Sequence, residues 1–430
     1  MKTITTIVFT FFLFTSLQAQ NLYFPPLTGN NWDTISPTNL GWCTSEIDTL
    51  YDYLEQEDTK AFILLKDGKI VLEKYFNGFE VDSNWVWFSA GKSLMSTMIG
   101  IAQSEGDLNI NNKASDYLGT GWTNMPQNKE DLIKVRHQLS MSTGLDETVS
   151  FSCTDDTCLQ YLTDAGSRWF YHNAPYSLLK ETLQNATNLN INTYTTLKIK
   201  LKIGMNGFWL PIGDNNFFFS TPRSMARFGL LTLNRGEWNG NSVLSDTTYY
   251  NQTTTPSQSL NPAYGYLWWL NGQSSYILPN STVSVSGSIA PDAPSDLILA
   301  AGAQGQFCAV VPSQNLVMIR MGGSNGQNLV PTDFHNDIWK QLNQIICTST
   351  STTQSLTAPI TLFPNPATNQ INLKMGNSEP FTTHIYNATG QLIQANQNTF
   401  SFDISNYPNG FYFLKIVQKG KIQTAKFLKL

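Results

Sequence analysis

Charge is scarce in this chain of 430 residues: Asp, Glu, Lys and Arg together make up 13% of it, and the net charge is −5. An average soluble chain carries roughly 25%, so the polar surface must come from Asn, Thr, Ser and Gln, as suits an exported protein. Without a basic footprint the chain has nothing to hold an extended phosphate backbone, which excludes nucleic acid as a partner. Histidine is scarcer still, with four copies. None stands with cysteine at metal-ligand spacing, so no metal is expected. Beyond the amino end no run of 18 apolar residues occurs, and the mature chain is expected to have no transmembrane segment. Apolar material is plentiful: 41% hydrophobic and 12% aromatic residues supply a large core. The length exceeds a usual domain of roughly 100–150 residues and admits a large domain plus a smaller one.

The amino end reads as a secretory signal. Lys2 precedes an apolar run from Ile7 to Leu17, and Leu17-Gln18-Ala19 offers a small residue for cleavage before Gln20. The run is shorter than the roughly 20 residues that span a bilayer. A second landmark is Thr348–Thr357, built from small polar residues without apolar periodicity, which is linker composition. The expected organisation is a signal at 1–19, a large unit at 20–347, the linker at 348–357 and a small unit at 358–430.

In the large unit, Ala61–Lys66 and Lys69–Phe76 read as strands joined by Asp67-Gly68, a dipeptide that tolerates positive φ at both positions of a tight hairpin. Gly91–Ser104 is too apolar all round for a surface helix and is expected to be a buried central one. The region from about 108 to 235 reads mostly as helix and loop. Strands return at Tyr264–Leu270, Leu297–Gly302, Gln306–Val311 and Leu316–Met321. The fold class is therefore α/β, an antiparallel sheet flanked by helices with an inserted helical subdomain.

Ser89-Ala-Gly-Lys92 stands immediately before the buried helix. Free amides and the helix dipole at that end stabilise an oxyanion, and Lys92 lies one turn along on the same face. A lysine shielded from water has its pKa lowered and can take a serine proton. As a pattern Ser-x-x-Lys is weak, since Ser177-Leu-Leu-Lys180 matches it too, and taken without context an N-capping serine beside a solvated lysine explains it better. Tyr171-His172-Asn173 offers a tyrosine to share the proton and an amide to hold a carbonyl. In Ala300-Ala-Gly-Ala-Gln-Gly-Gln306 the glycines allow close backbone approach, and an amide N–H there is a candidate second oxyanion donor. Gly322-Gly-Ser-Asn-Gly326 fits a nucleophile elbow after a strand. The required helix does not follow at once, and no histidine stands in a suitable place, so Ser324 reads as a loop residue and His172 as a pocket-lining or exposed one.

Together, Trp87–Ala102, Arg136–Leu145, the Tyr171 segment, Ser220–Leu230 and Tyr264–Leu270 resemble the serine β-lactamase-like hydrolases, in the right order across residues 40 to 347. That superfamily includes class C β-lactamases, D-peptidases, related esterases and 6-aminohexanoate-oligomer hydrolases. The resemblance implies that Ser89 is the acylated nucleophile, Lys92 its base and Tyr171 the acid that protonates the leaving group. It implies further that Asn173 positions the substrate and that the backbone N–H groups of Ser89 and Ala303, next to Gly302, form the oxyanion hole. No cofactor is implied. Where relatives carry Lys-Thr-Gly or His-Thr-Gly, this chain has Ala300-Ala301-Gly302, so no cation grips a substrate carboxylate. A lost charge-assisted bond costs about 1.5–3 kcal/mol, which favours esters and simple amides. The expected function is a secreted serine hydrolase of a small-molecule or short peptide substrate. The alternatives are a catalytically silent penicillin-binding-like protein and a true β-lactamase or D-peptidase.

The carboxy-terminal unit alternates short strands with Thr-Gly and Asn-Gly turns, as in a small β-sandwich. Its segments from Leu362 to Asn369, His384 to Ile393 and Phe402 to Ile416 resemble type A sorting domains of the type IX secretion system. That implies a secretion machinery as partner and a secreted or outer-membrane surface location, reached through the periplasm. Among five cysteines at least one is unpaired. Cys153 and Cys158 are near enough to close a small loop, and Cys308 reads as a core residue. In this superfamily the terminal helices pack side by side, which implies a bridge between Cys43 and Cys347.

Overall fold

The computed structural model describes residues 22–324, 330–347, 360–375, 380–418 and 421–430. The expected signal and linker lie outside the described residues. The chain divides into two compact units, Met1–Cys347 and Thr348–Leu430. In chain order the larger unit contains α1 (Ile47–Gln56), β1 (Thr59–Lys66), β2 (Lys69–Tyr75), β3 (Trp85–Val86), α2 (Gly91–Glu105), α3 (Asn173–Ser177) and α4 (Leu179–Thr187). There follow β4 (Phe208–Ile212), β5 (Asn215–Ser220), α5 (Pro222–Leu233), β6 (Trp269–Leu270), β7 (Ile298–Gly302), β8 (Gln306–Val311), β9 (Leu316–Gly322) and α6 (Thr332–Ile346), with shorter helices, turns and ribbons between.

The main sheet has the order β2-β1-β9-β8-β7-β6, antiparallel throughout. Its hairpin β1–β2 turns at Asp67 (φ 52°) and Gly68 (φ 83°), as the dipeptide demands. Successive strand residues point to opposite faces, and β8 shows what covers each. Phe307 packs against Phe334 and His335 of α6. Its neighbour Cys308 points the other way, where a Cβ on Gly229 of α5 would come within 3.0 Å of its sulfur. Helices α6 and α5 therefore lie on opposite faces, and α1 packs beside α6. Cys43 is bonded to Cys347 and Cys153 to Cys158, while Cys308 is free and buried.

Helix α2 is buried from Gly91 to Ala102, as its all-round apolar character requires. Two expectations change. The segment Tyr264–Leu270 is a strand only at Trp269–Leu270. Leu267 takes a left-handed φ of 60°, accepts a hydrogen bond from Ser93 Oγ and donates its N–H to Leu139 O, so its backbone is spent on helix α2 and the end of the short helix Val135–Leu139 rather than on the ladder. The middle region also contains more sheet than expected, because β4 and β5 form a hairpin that pairs with β3 in the order β3-β5-β4. Its partner lies more than a hundred residues earlier in the chain, beyond the reach of local pattern.

In the smaller unit, β10 (Thr361–Phe363), β11 (Gln370–Lys374), β12 (Thr382–Asn387), β13 (Leu392–Gln397), β14 (Ser401–Asp403), β15 (Gly410–Gln418) and β16 (Lys421–Lys429) form two sheets, β10-β11-β14 and β13-β12-β15-β16. Ile371, Leu373, Ile385, Phe402, Leu414 and Phe427 meet in one core, so the unit is a small β-sandwich.

Candidate active site

The approach to Ser89 is anchored by Trp87, whose backbone N–H donates to Phe218 and whose indole N–H donates to Ser220 Oγ at 2.9 Å. The next residue, Phe88, has φ 47°, a left-handed value that a bulky side chain adopts only under constraint and at a cost of roughly 1–3 kcal/mol. The chain then makes a 3₁₀ turn, Phe88–Ala90, into α2. Ser89 is half-buried there. It does not cap the helix, since Ala90 occupies the N-cap, and its Oγ accepts a hydrogen bond from Lys92 Nζ at 3.3 Å.

Lys92 is 3% exposed and has no carboxylate partner among the described residues. Its ammonium faces the ring of Tyr176 at 3.9 Å and that of Tyr171 at 5.4 Å. Burial alone lowers its pKa to about 7, so near neutrality a large fraction is free amine. Tyr171 is enclosed, stacked on Trp269 at 6.0 Å and edge-on to Tyr264 at 6.2 Å. Burial pushes its phenol well above the usual value, with Ser89 pulling it partly back, so it holds its proton. Asn173 begins α3, and its Oδ1 is buried without a hydrogen-bond partner. An enclosed orphan acceptor is rare unless something else satisfies it.

The other wall is the turn from β7 to β8. A Cβ on Gly302 would come within 2.3 Å of Trp87 O, 2.9 Å of Ala90 N and 3.1 Å of Ser89 N. Only glycine lets this strand end lie against the turn that carries Ser89. Ala303 follows directly, and the turn is held from behind. Arg320, fully buried, donates to Gln304 O, Gly305 O, Glu57 O, Gly323 O and Thr59 Oγ1, while Gln306 Nε2 donates to Ala303 O at 3.2 Å. The geometry thus gathers Ser89, Lys92, Tyr171 and Gly302, with Asn173 and Ala303 on the segments that flank them.

The sequence model of the family described as Beta-lactamase matches residues 52–337. The chain belongs to the β-lactamase family. A second family model, the secretion system C-terminal sorting domain, matches residues 361–429. The β-lactamase domain is thus followed by a sorting domain, and the protein is a secreted or cell-surface member of the family. Among the described residues no helix is long and apolar enough to cross a membrane. Its fold is shared with a penicillin-binding protein homologue from Caulobacter crescentus, at TM-score 0.54 and 14% identity over 70% of this chain and 97% of that one. It is shared likewise with a family VIII carboxylesterase, at TM-score 0.54 and 13% identity over 69% and 96%. A third likeness is to the octameric penicillin-binding protein homologue from Pyrococcus abyssi, at TM-score 0.52 and 13% identity over 89% and 95%. Identities this low show the fold alone.

Within the β-lactamase domain, Ala300 is fully buried and offers no charge. His172 is neither exposed nor free: its Nε2 meets Ser150 O at 2.9 Å, its ring stacks on Phe151, and burial lowers its pKa. Among the described residues the next helix after β9 begins at Thr332, which is not the abrupt strand-to-helix turn of a nucleophile elbow at Ser324. Tyr176 and Phe88 belong to the site without any pattern in the sequence that marks them. Tyr176 lies in the segment singled out for Tyr171, but nothing local says that its ring will roof Lys92.

Proposed function

We propose that the β-lactamase domain is a serine hydrolase that cleaves esters or simple amides through an acyl-enzyme on Ser89. The observation that carries this reading is the buried Lys92 amine, 3.3 Å from Ser89 Oγ with no carboxylate to hold its charge. As free amine it accepts the Ser89 proton while Oγ attacks the substrate carbonyl carbon. The backbone N–H groups of Ser89 and Ala303 receive the oxyanion. When the tetrahedral intermediate collapses, Tyr171 gives its proton to the leaving alcohol or amine and is reprotonated by Lys92, so the proton balance closes. Water then repeats the sequence on the acyl-enzyme and releases the acid. Asn173 Oδ1, otherwise without a partner, accepts from a substrate N–H or O–H beside the carbonyl.

The sorting domain supports export through the periplasm and across the outer membrane by the type IX route, after cleavage of the signal behind Ala19. With Ala300 in place of a cation, short esters are better substrates than cephalosporins. The experiment is one preparation offered p-nitrophenyl esters, a chromogenic cephalosporin and D-amino-acid amides, with a fluorophosphonate probe mapped by mass spectrometry. The expected result is label on Ser89 and ester turnover well above cephalosporin turnover. Cephalosporin turnover that matches the esters contradicts the substrate assignment, and an unlabelled Ser89 points to a catalytically silent penicillin-binding-like protein.

A further inference from the structure

The small sheet β3-β5-β4 has two very different faces. Phe218 and Trp209 pair across β5 and β4 and point inward, against Trp87 and the start of α2. On the other face the register places Val86 beside Phe219, Phe219 beside Phe208 and Phe217 beside Leu210. Phe208 and Phe219 stack at 5.5 Å, and the ring of Phe88 meets Phe217 edge-on at 5.6 Å. Among the described residues nothing covers this outer face: Phe208 is 45% exposed, Leu210 43% and Ile212 50%, all on the edge strand. The one charge on the hairpin is Asp214, at its turn. Edge strands are ordinarily protected by charge, and a contiguous exposed apolar surface marks a binding site.

The position of this face says what it binds. Phe88 immediately precedes Ser89, and its left-handed φ holds it where its ring joins the row on Phe217. The apolar surface therefore starts one residue from the nucleophile and runs across two strand spacings, roughly 10 Å, to the edge of the sheet. The hairpin itself carries no Lys or Arg to hold a carboxylate-bearing acyl group, and Ala300 offers none. We propose that the outer face of β3-β5-β4 is the acyl-group site of the enzyme and selects esters of medium-length apolar acids. This inference rests on Ser89 being the acylated residue, and it adds the class of acid that Ser89 receives.

The test uses the full chain. Wild type and the Phe208→Ser/Leu210→Ser variant, altered only at half-exposed positions, are compared on p-nitrophenyl acetate and p-nitrophenyl octanoate, with size-exclusion chromatography alongside. Wild type is expected to favour octanoate in kcat/KM by roughly tenfold or more, and the variant to lose most of that ratio. Equal preference in wild type, or a ratio unmoved by the substitutions, overturns the proposal. So does a dimer that the substitutions dissociate without changing the ratio, because the face is then a contact between copies. Octanoate binding to Ser89→Ala, followed by tryptophan fluorescence, separates this proposal from the catalytic one. If turnover does not depend on Ser89, binding that is lost on adding the two serines still supports an apolar-ligand face. Absence of both binding and chain-length preference removes it even where Ser89 is labelled.

Discussion

The pattern Ser-x-x-Lys occurs twice around one site, and the two copies do opposite things. Ser89 and Lys92 straddle a 3₁₀ turn that runs into one continuous helix, so the lysine comes back to the serine oxygen in an enclosure lined by tyrosine rings. Ser177 ends α3 and Lys180 belongs to α4, with Leu178 between the two helices. Its hydroxyl is buried without a partner, and its lysine pairs instead with Glu181 at 3.1 Å at a partly exposed position. Identical spacing yields a hydrogen-bonded serine and buried amine in one place and a packing residue with a surface ion pair in the other. What separates them is burial of the amine without a counter-charge, because desolvation is what makes a lysine a base near neutral pH.

The comparison breaks most decisively at the first pair. Ser89→Ala and Lys92→Ala are each expected to lower ester kcat/KM by roughly 10³-fold or more, and the double variant to be little worse than either, since the residues act as a unit. Substantial turnover by Ser89→Ala would falsify the assignment. Tyr171→Phe keeps the ring packing and removes the acid. With a poor leaving group such as an alkyl alcohol it should slow turnover by about 10²–10⁴-fold, whereas an unchanged rate on that substrate would return the acid role to Lys92.

A smaller effect sharpens the physical cause. Lys92 is a base only when neutral, so kcat/KM should rise with pH through about 7 and level off above it. A profile flat from pH 5 to 9 speaks against Lys92 as base. Burial has also lowered its pKa from 10.5, so between about 7 and 10.5 the unfolded chain binds a proton that the folded chain does not. Stability therefore increases with pH across that window, and the full cost of the buried charge is felt below it. Lys92→Met, which abolishes activity, should accordingly raise the melting temperature at pH 6, with the gain fading towards pH 10. A lower melting temperature at both pH values contradicts this. At the bottom of the scale, Ser177→Ala and Lys180→Ala should change ester turnover by no more than about twofold. A large loss in either would mean that the second copy also serves the chemistry.

Much of the β-lactamase domain was legible because its signals are local. The Asp67-Gly68 hairpin, the apolar helix behind Ser89, the strands Gln306–Val311 and Leu316–Met321 and the alternating strands of the sorting domain all write their geometry within a few residues. Where the backbone is fixed from a distance, local pattern does not show it. Leu267 leaves its strand for a hydrogen bond with Ser93, and β4 and β5 depend on β3 as a pairing partner.

By itself the sequence determined the order of the parts: an α/β domain with Ser89 and Lys92 one turn apart, a glycine at 302, no cation at 300, and a sandwich to follow. Tertiary structure alone decided which of the two lysines is buried without a counter-charge, since that depends on Tyr171 and Tyr176 arriving from another segment to exclude water from one amine and not from the other. It also decided that Phe88, Phe217 and Phe208, far apart in the chain, form one apolar row beside Ser89. Desolvation and cross-strand register are properties of space rather than of spacing, which is why neither could be read along the chain.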